Sequence, residues 1–417
     1  MTPSAPTSPD TAPALPAGDT LDHVLGLTPD RPAFALRHSR DKVAVATQGC
    51  YDTLFAPGLP TALTLAERWW VARDIARSSG ASALAAHYQR RLEESGAPHG
   101  PHEADQPGTE PADTRLQAIA QFVRTLATHP DRSDRAALEA LPAAGLSVPD
   151  TVLLAQLIGF VTYQLRLVAG IAALDTLGAQ QGTAAPAPTD TTDSAPFVHP
   201  AHLPPPGEPL RLNGYTSETL GWTAWLPVVH PATATPEQQT VLDLSHPKAR
   251  SSDFYLLLAH QAEVLSQRSQ AFNAIMYAPG GLSRADREIA STAVSRANGC
   301  VYCASVHAQR FEQLAKRNDV MAQLFTDPEQ AGTNARERAL IQAAWGLTRH
   351  PADFGPAQIQ ALRNAGLSDL EILDAVHATA LFAWANRLML NLGEAVYPPG
   401  TDPATSTSTT VPPGQQA

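Results

Sequence analysis

Residues 280–307 read GGLSRADREIASTAVSRANGCVYCASVH and contain the clearest structural signal in the chain. Apolar residues recur every three or four positions over 284–297 and again over 304–314, which is the spacing of one buried helix face. Between these two runs, the pair Asn298-Gly299 is a strong turn or C-cap signal, so a new helix is expected to begin at Cys300. The stretch therefore predicts two helices joined by a tight turn.

The same helical periodicity recurs through most of the chain. The other runs are residues 65–92, 116–126, 152–174, 254–277, 336–347 and 370–392. Helix-stopping residues follow several of them, as at His129-Pro130 and Gly366, while the alternation typical of strands is nearly absent. The sequence thus predicts an all-α fold.

Composition and charge limit the classes of function. The chain has 417 residues, 43% of them hydrophobic, and a formal net charge of -11 with no basic stripe. Nucleic acids and anionic membranes attract clustered Lys and Arg, so neither is expected as a partner. The apolar run 152–174 is interrupted by Gln156, Gln164 and Arg166, and we interpret it as a buried core helix rather than a membrane span. The segment 1–19 has no cationic start and no apolar core, which argues against a secretory signal and favours a cytoplasmic protein.

The two halves of the chain are similar in sequence, as two copies of one repeated unit would be, at an offset of roughly 220 residues. Matching pairs keep their register across a whole helical domain: Gln48 with Gln270, Arg68 with Arg287, Gly80 with Gly299, His129-Pro130 with His350-Pro351, Gly145 with Gly366 and Arg166 with Arg387. Because Arg387 recurs as Arg166, we expect a structural ion pair there rather than a catalytic role. We interpret the pattern as a tandem duplication.

This repeat and the Pro-rich and Ser/Thr-rich stretches predict the domain organisation. The predicted parts are a disordered tail 1–20, a first helical domain 21–177, a Pro/Ala-rich linker 178–209, a second helical domain 210–397 and a disordered tail 398–417.

The repeat fails at the residues that carry chemistry. Opposite Glu288, Cys300, Cys303 and His307, the first half has Trp69, Ala81, Leu84 and Tyr88. The first domain is therefore expected to be degenerate, with the fold but without the site. The third cysteine, Cys50, lies outside the pair and is expected to be a small buried side chain.

In the second half, spacings of three and four place Cys300, Cys303 and His307 on one helical face. A thiol at a helix N-terminus lies near the positive end of the helix dipole, so the pKa of Cys300 is expected to fall from about 8.5 toward 7 or below. Glu288 lies on the preceding helix, where its carboxylate could carry protons together with His307. A Cys-x-x-Cys pair in such a setting suits an attack-and-resolve cycle that ends in a disulfide.

These residues resemble the AhpD-like alkylhydroperoxidases of the carboxymuconolactone decarboxylase superfamily. Their signature is a Glu, eleven residues, Cys-x-x-Cys, three residues and a His, which Glu288, Cys300, Cys303 and His307 match at every position. The resemblance is strong over 225–396 and weak over 23–174. It implies two tandem AhpD-like helical domains, the first degenerate, in a protein that forms homo-oligomers.

The resemblance also implies roles for the site residues. Cys303 would meet the peroxide, Cys300 would resolve the intermediate, and Glu288 with His307 would form the proton relay, whereas the dipole argument alone favours Cys300 as the attacking thiol. The family's best-known peroxidase has a histidine where this chain has Tyr302, which makes Tyr302 a candidate lining residue of the site.

Together these features favour a peroxidase-like oxidoreductase that reduces an organic hydroperoxide or hydrogen peroxide. No cofactor or metal motif is visible, so a partner dithiol, either a lipoyl group or a thioredoxin-like protein, would supply electrons. Two other functions stay open: an acid/base enzyme of the decarboxylase type that uses Glu288 and His307, and a non-enzymatic redox sensor or assembly subunit. The motif also has two structural interpretations. One is a zinc site built from the same four residues, and the other is simple buried packing of the cysteines.

Overall fold

The computed structural model describes residues 18–96, 113–132, 134–178 and 200–399. The predicted tails, 1–20 and 398–417, lie almost entirely outside these ranges, as does most of the predicted linker 178–209. The last part of that linker is described and packs on the second half of the chain. There the side-chain amide of Asn318 donates to the Pro204 carbonyl oxygen at 2.9 Å, and the Gly207 backbone N–H donates to the Glu312 carboxylate.

The described residues are mainly helical, which confirms the all-α prediction. The helices of the first half are α1 (Thr20–Leu25), α2 (Pro32–His38), α3 (Asp41–Leu54), α4 (Leu65–Ser78), α5 (Ser82–Glu94), α6 (Thr114–Thr128), α7 (Arg135–Ala143) and α8 (Val148–Leu177). Those of the second half are α9 (Pro236–Ser245), α10 (Asp253–Leu258), α11 (Ala262–Met276), α12 (Arg284–Ala297), α13 (Val301–Ala315), α14 (Asp319–Thr326), α15 (Ala335–Arg349), α16 (Pro356–Asn364) and α17 (Asp369–Asn391). Short antiparallel strands pair β1 (Arg211–Leu212) with β2 (Tyr215–Thr216) and β3 (Gly221–Ala224) with β4 (Gly393–Val396).

Two of the predicted helical runs are interrupted. The run 65–92 divides into α4 and α5 because Gly80 adopts a left-handed φ of 72°, which ends a helix. The run 254–277 divides into α10 and α11 around a short 3-10 helix, Ala259–Gln261. In both places the apolar periodicity continues across the break, so periodicity alone did not reveal it.

Hydroxyl side chains fix the starts of corresponding helices. Thr64 and Ser283 cap α4 and α12 by accepting a hydrogen bond from the backbone N–H three residues later. Ser147 and Ser368 cap α8 and α17 in the same way. Each cap satisfies an N–H group that has no partner within its own helix. The sequence therefore sets the start of these helices locally.

Helices follow one another in the same order in both halves. The series α3, α4, α5, α6, α7, α8 corresponds to α11, α12, α13, α15, α16, α17. Helix α14 lies between α13 and α15, and the matching stretch of the first half, between α5 and α6, includes residues 97–112, which are outside the described ranges. A 3-10 turn precedes α7 and another precedes α16. This order is what a duplication predicts. The domain limits 21–177 and 210–397 stay a prediction.

The two halves pack face to face around one continuous apolar core, with α8 along α17 and α3 along α11. Where α8 meets α17, a Cβ on Gly159 would lie 2.0 Å from Cδ1 of Trp384. The indole N–H of Trp384 donates to the side-chain oxygen of Gln156 at 3.0 Å. The missing side chain at Gly159 thus lets the two longest helices approach closely.

The predicted ion pair at Arg387 is wrong, because carbonyl oxygens take the place of a carboxylate. Arg387 on α17 donates to the Ala127 carbonyl oxygen at 2.6 Å, and Arg166 on α8 donates to that of Thr348 at 2.7 Å. Both acceptors lie in the last turn of a helix in the other half, where carbonyl groups lack intrahelical partners. The two arginines therefore join the halves symmetrically.

Helix α8 is long and apolar enough to cross a membrane by length and composition. Within the part of the chain that the structure describes, it is the one helix of this kind, and 89% of its most apolar window is buried in the protein. This burial agrees with the prediction that the run 152–174 is a core helix.

Candidate functional site

The site begins at the turn between α12 and α13. Asn298 ends α12, Gly299 has a left-handed φ of 74°, and α13 starts directly after Cys300, as the sequence predicted. The side-chain amide of Asn298 donates to the side-chain oxygen of Asn386 on α17 at 3.0 Å. This hydrogen bond fixes the turn against the longest helix of the second half.

Cys300 and Cys303 form a close, buried pair of free thiols. Their sulfur atoms are 2.7 Å apart, and the Cys300 sulfur also accepts the backbone N–H of Cys303 at 3.4 Å. The exposed fractions of the two residues are 1% and 5%. Met389 completes the buried cluster, and the partly buried residues packed around it are Trp222, Phe254, Tyr302 and Leu390.

The predicted low pKa of Cys300 is wrong. Burial raises its pKa well above the ordinary value, and the neighbouring Cys303 sulfur raises it further, while the Cys303 backbone N–H lowers it. The helix N-terminus does supply a hydrogen bond, as expected, but one N–H group does not replace the hydration that a thiolate loses on burial. Cys300 is therefore held as a neutral thiol.

A second pair, Glu288 and His307, links the two helices of the site. Glu288 on α12 is fully buried, and its Oε2 lies 2.5 Å from Nδ1 of His307 on α13. Its other oxygen accepts from Nε of Arg284 at 2.5 Å. Burial alone would raise the pKa of Glu288, but the hydrogen bonds and charges of His307 and Arg284 together lower it below its ordinary value. Glu288 is thus an ionised carboxylate inside the protein.

The carboxylate determines which nitrogen of His307 can act as a base. In the neutral imidazole, Nδ1 donates to Glu288, so that tautomer carries its proton on Nδ1 and leaves Nε2 as the acceptor. The edge of the Phe382 ring packs on the imidazole, with ring centres 4.1 Å apart. In the described residues, no hydrogen bond joins His307 or Glu288 to either sulfur. The structure therefore brings the four residues into two pairs on one buried face of adjoining helices.

A surface cleft reaches Arg284, the arginine that is hydrogen-bonded to Glu288. Its volume is about 290 Å³, and Tyr277, Leu282 and Arg284 are among the residues that line it. The Arg284 guanidinium lies over the Tyr277 ring, 4.3 Å from the ring centre. Arg284 thus connects solvent to the buried carboxylate of Glu288.

The corresponding positions of the first half contain no such chemistry. Trp69 and Leu84 occupy the same helix positions as Glu288 and Cys303, and Tyr88 occupies that of His307. The rings of Trp69 and Tyr88 pack with centres 6.0 Å apart, and Phe55 stacks on Trp69 at 3.8 Å. Aromatic packing therefore fills the space that the second half uses for its polar pair.

Tyr302 packs against the thiol cluster and is about half-buried. Burial and the adjacent Cys303 raise the pKa of its hydroxyl to about 12. Tyr302 is therefore a neutral phenol beside the sulfurs at ordinary pH.

The sequence reasoning missed several residues of this region. Arg284 could have been found, since it precedes Glu288 by four residues, the spacing of helical ion pairs. Only the tertiary structure places the ring of Phe382 on His307. Phe254 and Met389 come from α10 and α17, and nothing local in the sequence links them to the thiols.

The four predicted site residues do not converge in the way a zinc site requires. Among the residues that the structure describes, no three His, Cys, Asp or Glu side chains form a group suited to a metal ion. The donors instead form two pairs, each satisfied by internal contacts.

Comparisons with known proteins agree with the resemblance noted in the sequence. Residues 262–345 match the sequence model of the carboxymuconolactone decarboxylase family, a segment that includes α11, α12 and α13 and all four site residues. No curated protein matches the chain.

Two crystal structures are similar to part of the chain. One is an uncharacterized peroxidase-related protein from Silicibacter sp. TM1040, with 23% identity, a TM-score of 0.35 and coverage of 41% of this chain and 92% of that one. The other is an alkylhydroperoxidase AhpD core, an uncharacterized peroxidase-related protein from Ralstonia eutropha JMP134, with 27% identity, a TM-score of 0.35 and coverage of 39% and 86%. The segment 262–345, which contains all four site residues, is therefore similar to the carboxymuconolactone decarboxylase family.

Proposed function

We propose that the chain is a thiol-dependent, peroxidase-like oxidoreductase that reduces an organic hydroperoxide or hydrogen peroxide with Cys300 and Cys303. The observation that carries the proposal is the 2.7 Å separation of two buried, free sulfurs beside the Glu288–His307 pair. Sulfurs this close need little backbone movement to join, and an ionised carboxylate against an imidazole supplies a base nearby.

The first chemical step consumes the peroxide. The attacking cysteine gives its S–H proton to Nε2 of His307, and the thiolate attacks one oxygen of the peroxide ROOH. The O–O bond breaks, the sulfur becomes a sulfenic acid, and the leaving alkoxide takes up a proton to become ROH. Glu288 stabilises the imidazolium while it holds that proton. The sulfur is oxidised by two electrons and the peroxide is reduced by two.

The second step closes the disulfide. The thiol of the other cysteine attacks the sulfenic sulfur, the S–S bond forms, and the hydroxyl leaves as water. A partner dithiol, such as a lipoyl group or a thioredoxin-like protein, then returns two electrons and two protons and is itself oxidised to a disulfide. The cycle needs no bound cofactor.

A thiol titration tests the proposal. We expect stoichiometric peroxide to lower the number of free thiols from the three of Cys50, Cys300 and Cys303 to one, and dihydrolipoamide to restore all three. A thiol count that peroxide leaves unchanged would overturn the peroxidase function.

Single variants assign the roles and supply a matched control. Cys303→Ser is expected to abolish peroxide consumption, and Cys300→Ser is expected to leave a sulfenic acid that dimedone traps. The reverse pattern would make Cys300 the attacking thiol. Cys50→Ser removes a buried thiol of the same size outside the pair, so it should still lose two thiols per chain on oxidation.

A second candidate function is acid/base catalysis of the decarboxylase type, with the thiols idle. The observation that favours it is the separation of the two pairs, since no hydrogen bond in the described residues joins His307 to a sulfur, while the Glu288–His307 contact is complete without one. In that case a lactone acid would lose carbon dioxide equally fast with the Cys300→Ser/Cys303→Ser double variant, and Glu288→Gln alone would abolish turnover.

A further inference from the structure

Among the described residues, one buried arginine has no carboxylate and no carbonyl oxygen as a partner. Seven arginines are buried in the described part of the chain: Arg37, Arg68, Arg166, Arg268, Arg287, Arg363 and Arg387. Six of them donate to carboxylates or to backbone carbonyl oxygens. Arg268, at 4% exposed, makes neither kind of contact, and its Nε is buried without an acceptor. A buried cation without a partner is costly, so its place in the fold requires a reason.

The position of Arg268 connects it to the thiol cluster. Its guanidinium lies 5.4 Å from the ring centre of Phe254 and 5.6 Å from a ring centre of Trp384. Phe254 in turn packs against the cluster of Cys300, Cys303 and Met389. The aromatic rings hold the cation by their faces, which leaves its N–H groups free for an anion.

Three acidic groups act on Arg268 electrostatically, and none of them is a carboxylate. In order of decreasing effect they are Tyr255 on α10, Cys50 on α3 and Cys303 on α13, and each would raise the pKa of Arg268 if it were ionised. Burial acts in the opposite direction and is the larger effect. Of the three groups, Cys303 alone belongs to the reactive pair, and the pKa of Cys50 is raised to about 12 by its own burial.

The arginine is present only in the half that has the thiols. In the register that matches Gln48 with Gln270, the counterpart of Arg268 on α11 is Ala46 on α3. Ala46 is buried in the core of the first half. The fold therefore does not need a cation at this position, whereas the half with Cys303 has one.

We propose that Arg268 is the counter-ion of the Cys303 thiolate, and thereby makes Cys303 rather than Cys300 the attacking thiol. When Cys303 gives its proton to His307, the guanidinium and the new thiolate become a buried pair, and the unpartnered cation gains its anion. Cys300 stays protonated until it attacks the sulfenic sulfur. This assignment rests on the proposed dithiol cycle, and it resolves the choice between the two sulfurs that the helix dipole and the family resemblance leave open.

The test measures ionisation of a single thiol. In a Cys50→Ser/Cys300→Ser background, the rate of alkylation of Cys303 by iodoacetamide is followed from neutral to alkaline pH. We expect Arg268→Met to move the midpoint upward by about 1 to 3 pH units, the effect of removing an opposite charge at close range. Arg268→Lys keeps the charge and should retain most of the wild-type profile. A midpoint that Arg268→Met leaves in place would overturn the proposal, as would a Lys variant that behaves like the Met variant.

Two controls separate this electrostatic role from structural damage. In a Cys50→Ser/Cys303→Ser background, the alkylation profile of Cys300 should move less with Arg268→Met, and an equal shift at both sulfurs would contradict the assignment. The thermal midpoint provides the second control, because methionine replaces an unpartnered buried cation and should keep or raise it. If Arg268→Met instead unfolds the protein, Arg268→Gln, which also removes the charge but keeps a polar side chain, is measured in its place, with the same upward shift expected and an unmoved midpoint overturning the proposal.

Failure of this inference and failure of the proposed function give different results. Alkylation reports the thiolate whether or not peroxide is consumed. A shifted midpoint in a protein that consumes no peroxide would retain the Arg268–Cys303 pair and reject the peroxidase cycle. Peroxide consumption with an unshifted midpoint would retain the peroxidase cycle and reject the Arg268–Cys303 pair.

Discussion

Replacing Glu288 by glutamine removes one negative charge from the centre of the site and keeps the shape of the side chain. The carboxylate is fully buried and holds His307 and Arg284 through its two oxygens at 2.5 Å each. An amide can still accept from Arg284, but its NH2 group then faces Nδ1 of His307. The change therefore alters proton positions more than packing.

The expected effect on rate follows from the tautomer of His307. Nδ1 must accept a hydrogen bond from the new amide, which moves the imidazole proton to Nε2. Nε2 then cannot take the proton of the attacking thiol. Positioned general bases contribute roughly 10²-fold to 10⁴-fold, so we expect the rate of thiol oxidation by peroxide to fall by that factor.

The loss of stability expected for Glu288→Gln depends on pH, and the lowered pKa of Glu288 determines the direction of that dependence. Losing one partner of a fully buried pair costs about 3 to 5 kcal/mol. Arg284 is 22% exposed and partly hydrated, so we expect a loss of about 1 to 3 kcal/mol. The folded pKa of Glu288 is lowered, so this stabilisation is present at neutral pH and disappears as the pH falls below the ordinary carboxyl pKa toward the folded one. The difference between wild type and Glu288→Gln should therefore shrink in acid.

Stopped-flow peroxide oxidation and urea unfolding at neutral and acid pH measure the two effects. Glu371→Gln is the matched control, since it also removes a carboxylate from a partly buried arginine pair, with Arg336. Glu371 lies 18 residues before Met389 on α17, about 27 Å away along the helix. The Glu371→Gln variant should lose some stability and keep the wild-type rate of thiol oxidation by peroxide. A Glu288→Gln protein that oxidises at the wild-type rate would refute the relay.

The remaining predictions concern packing and the third thiol. Gly159→Ala forces a Cβ into Trp384 and should lower the unfolding free energy by about 1 to 3 kcal/mol in urea titrations. At Gly346 on α15, an added Cβ would meet no atom within 4 Å from outside its own helix, so Gly346→Ala should instead raise the unfolding free energy by about 0.5 to 1 kcal/mol. Equal losses in the two variants would contradict the packing explanation. Burial raises the pKa of Cys50 to about 12, so the unfolding free energy should fall as the pH rises from the ordinary thiol value toward 12, and Cys50→Ala should flatten that alkaline slope.

Much of the fold could be predicted because its signals are local. Capping residues such as Ser283 and Ser368 start their helices without help from distant residues, and Gly299 ends one because its left-handed φ suits glycine. The break at Gly80 was missed, since the apolar periodicity of α4 continues into α5. The motif from Glu288 to His307 was visible because its spacing follows from two adjoining helices. The same kind of spacing argument would have identified Arg284, which lies four residues before Glu288.

The sequence by itself determined the helices, their order and the identity of the four chemical groups, because each depends on residues close together in the chain. Only the tertiary structure decided the state of those groups. The pKa of Cys300 rises rather than falls, since burial by α10 and α17 removes more hydration than the helix N-terminus replaces. The guanidinium of Arg268, on α11, lies over the ring of Phe254, which packs against the thiol cluster, and no sequence pattern links these three parts of the chain. Burial and long-range charge come from how distant helices pack, and no local pattern encodes that.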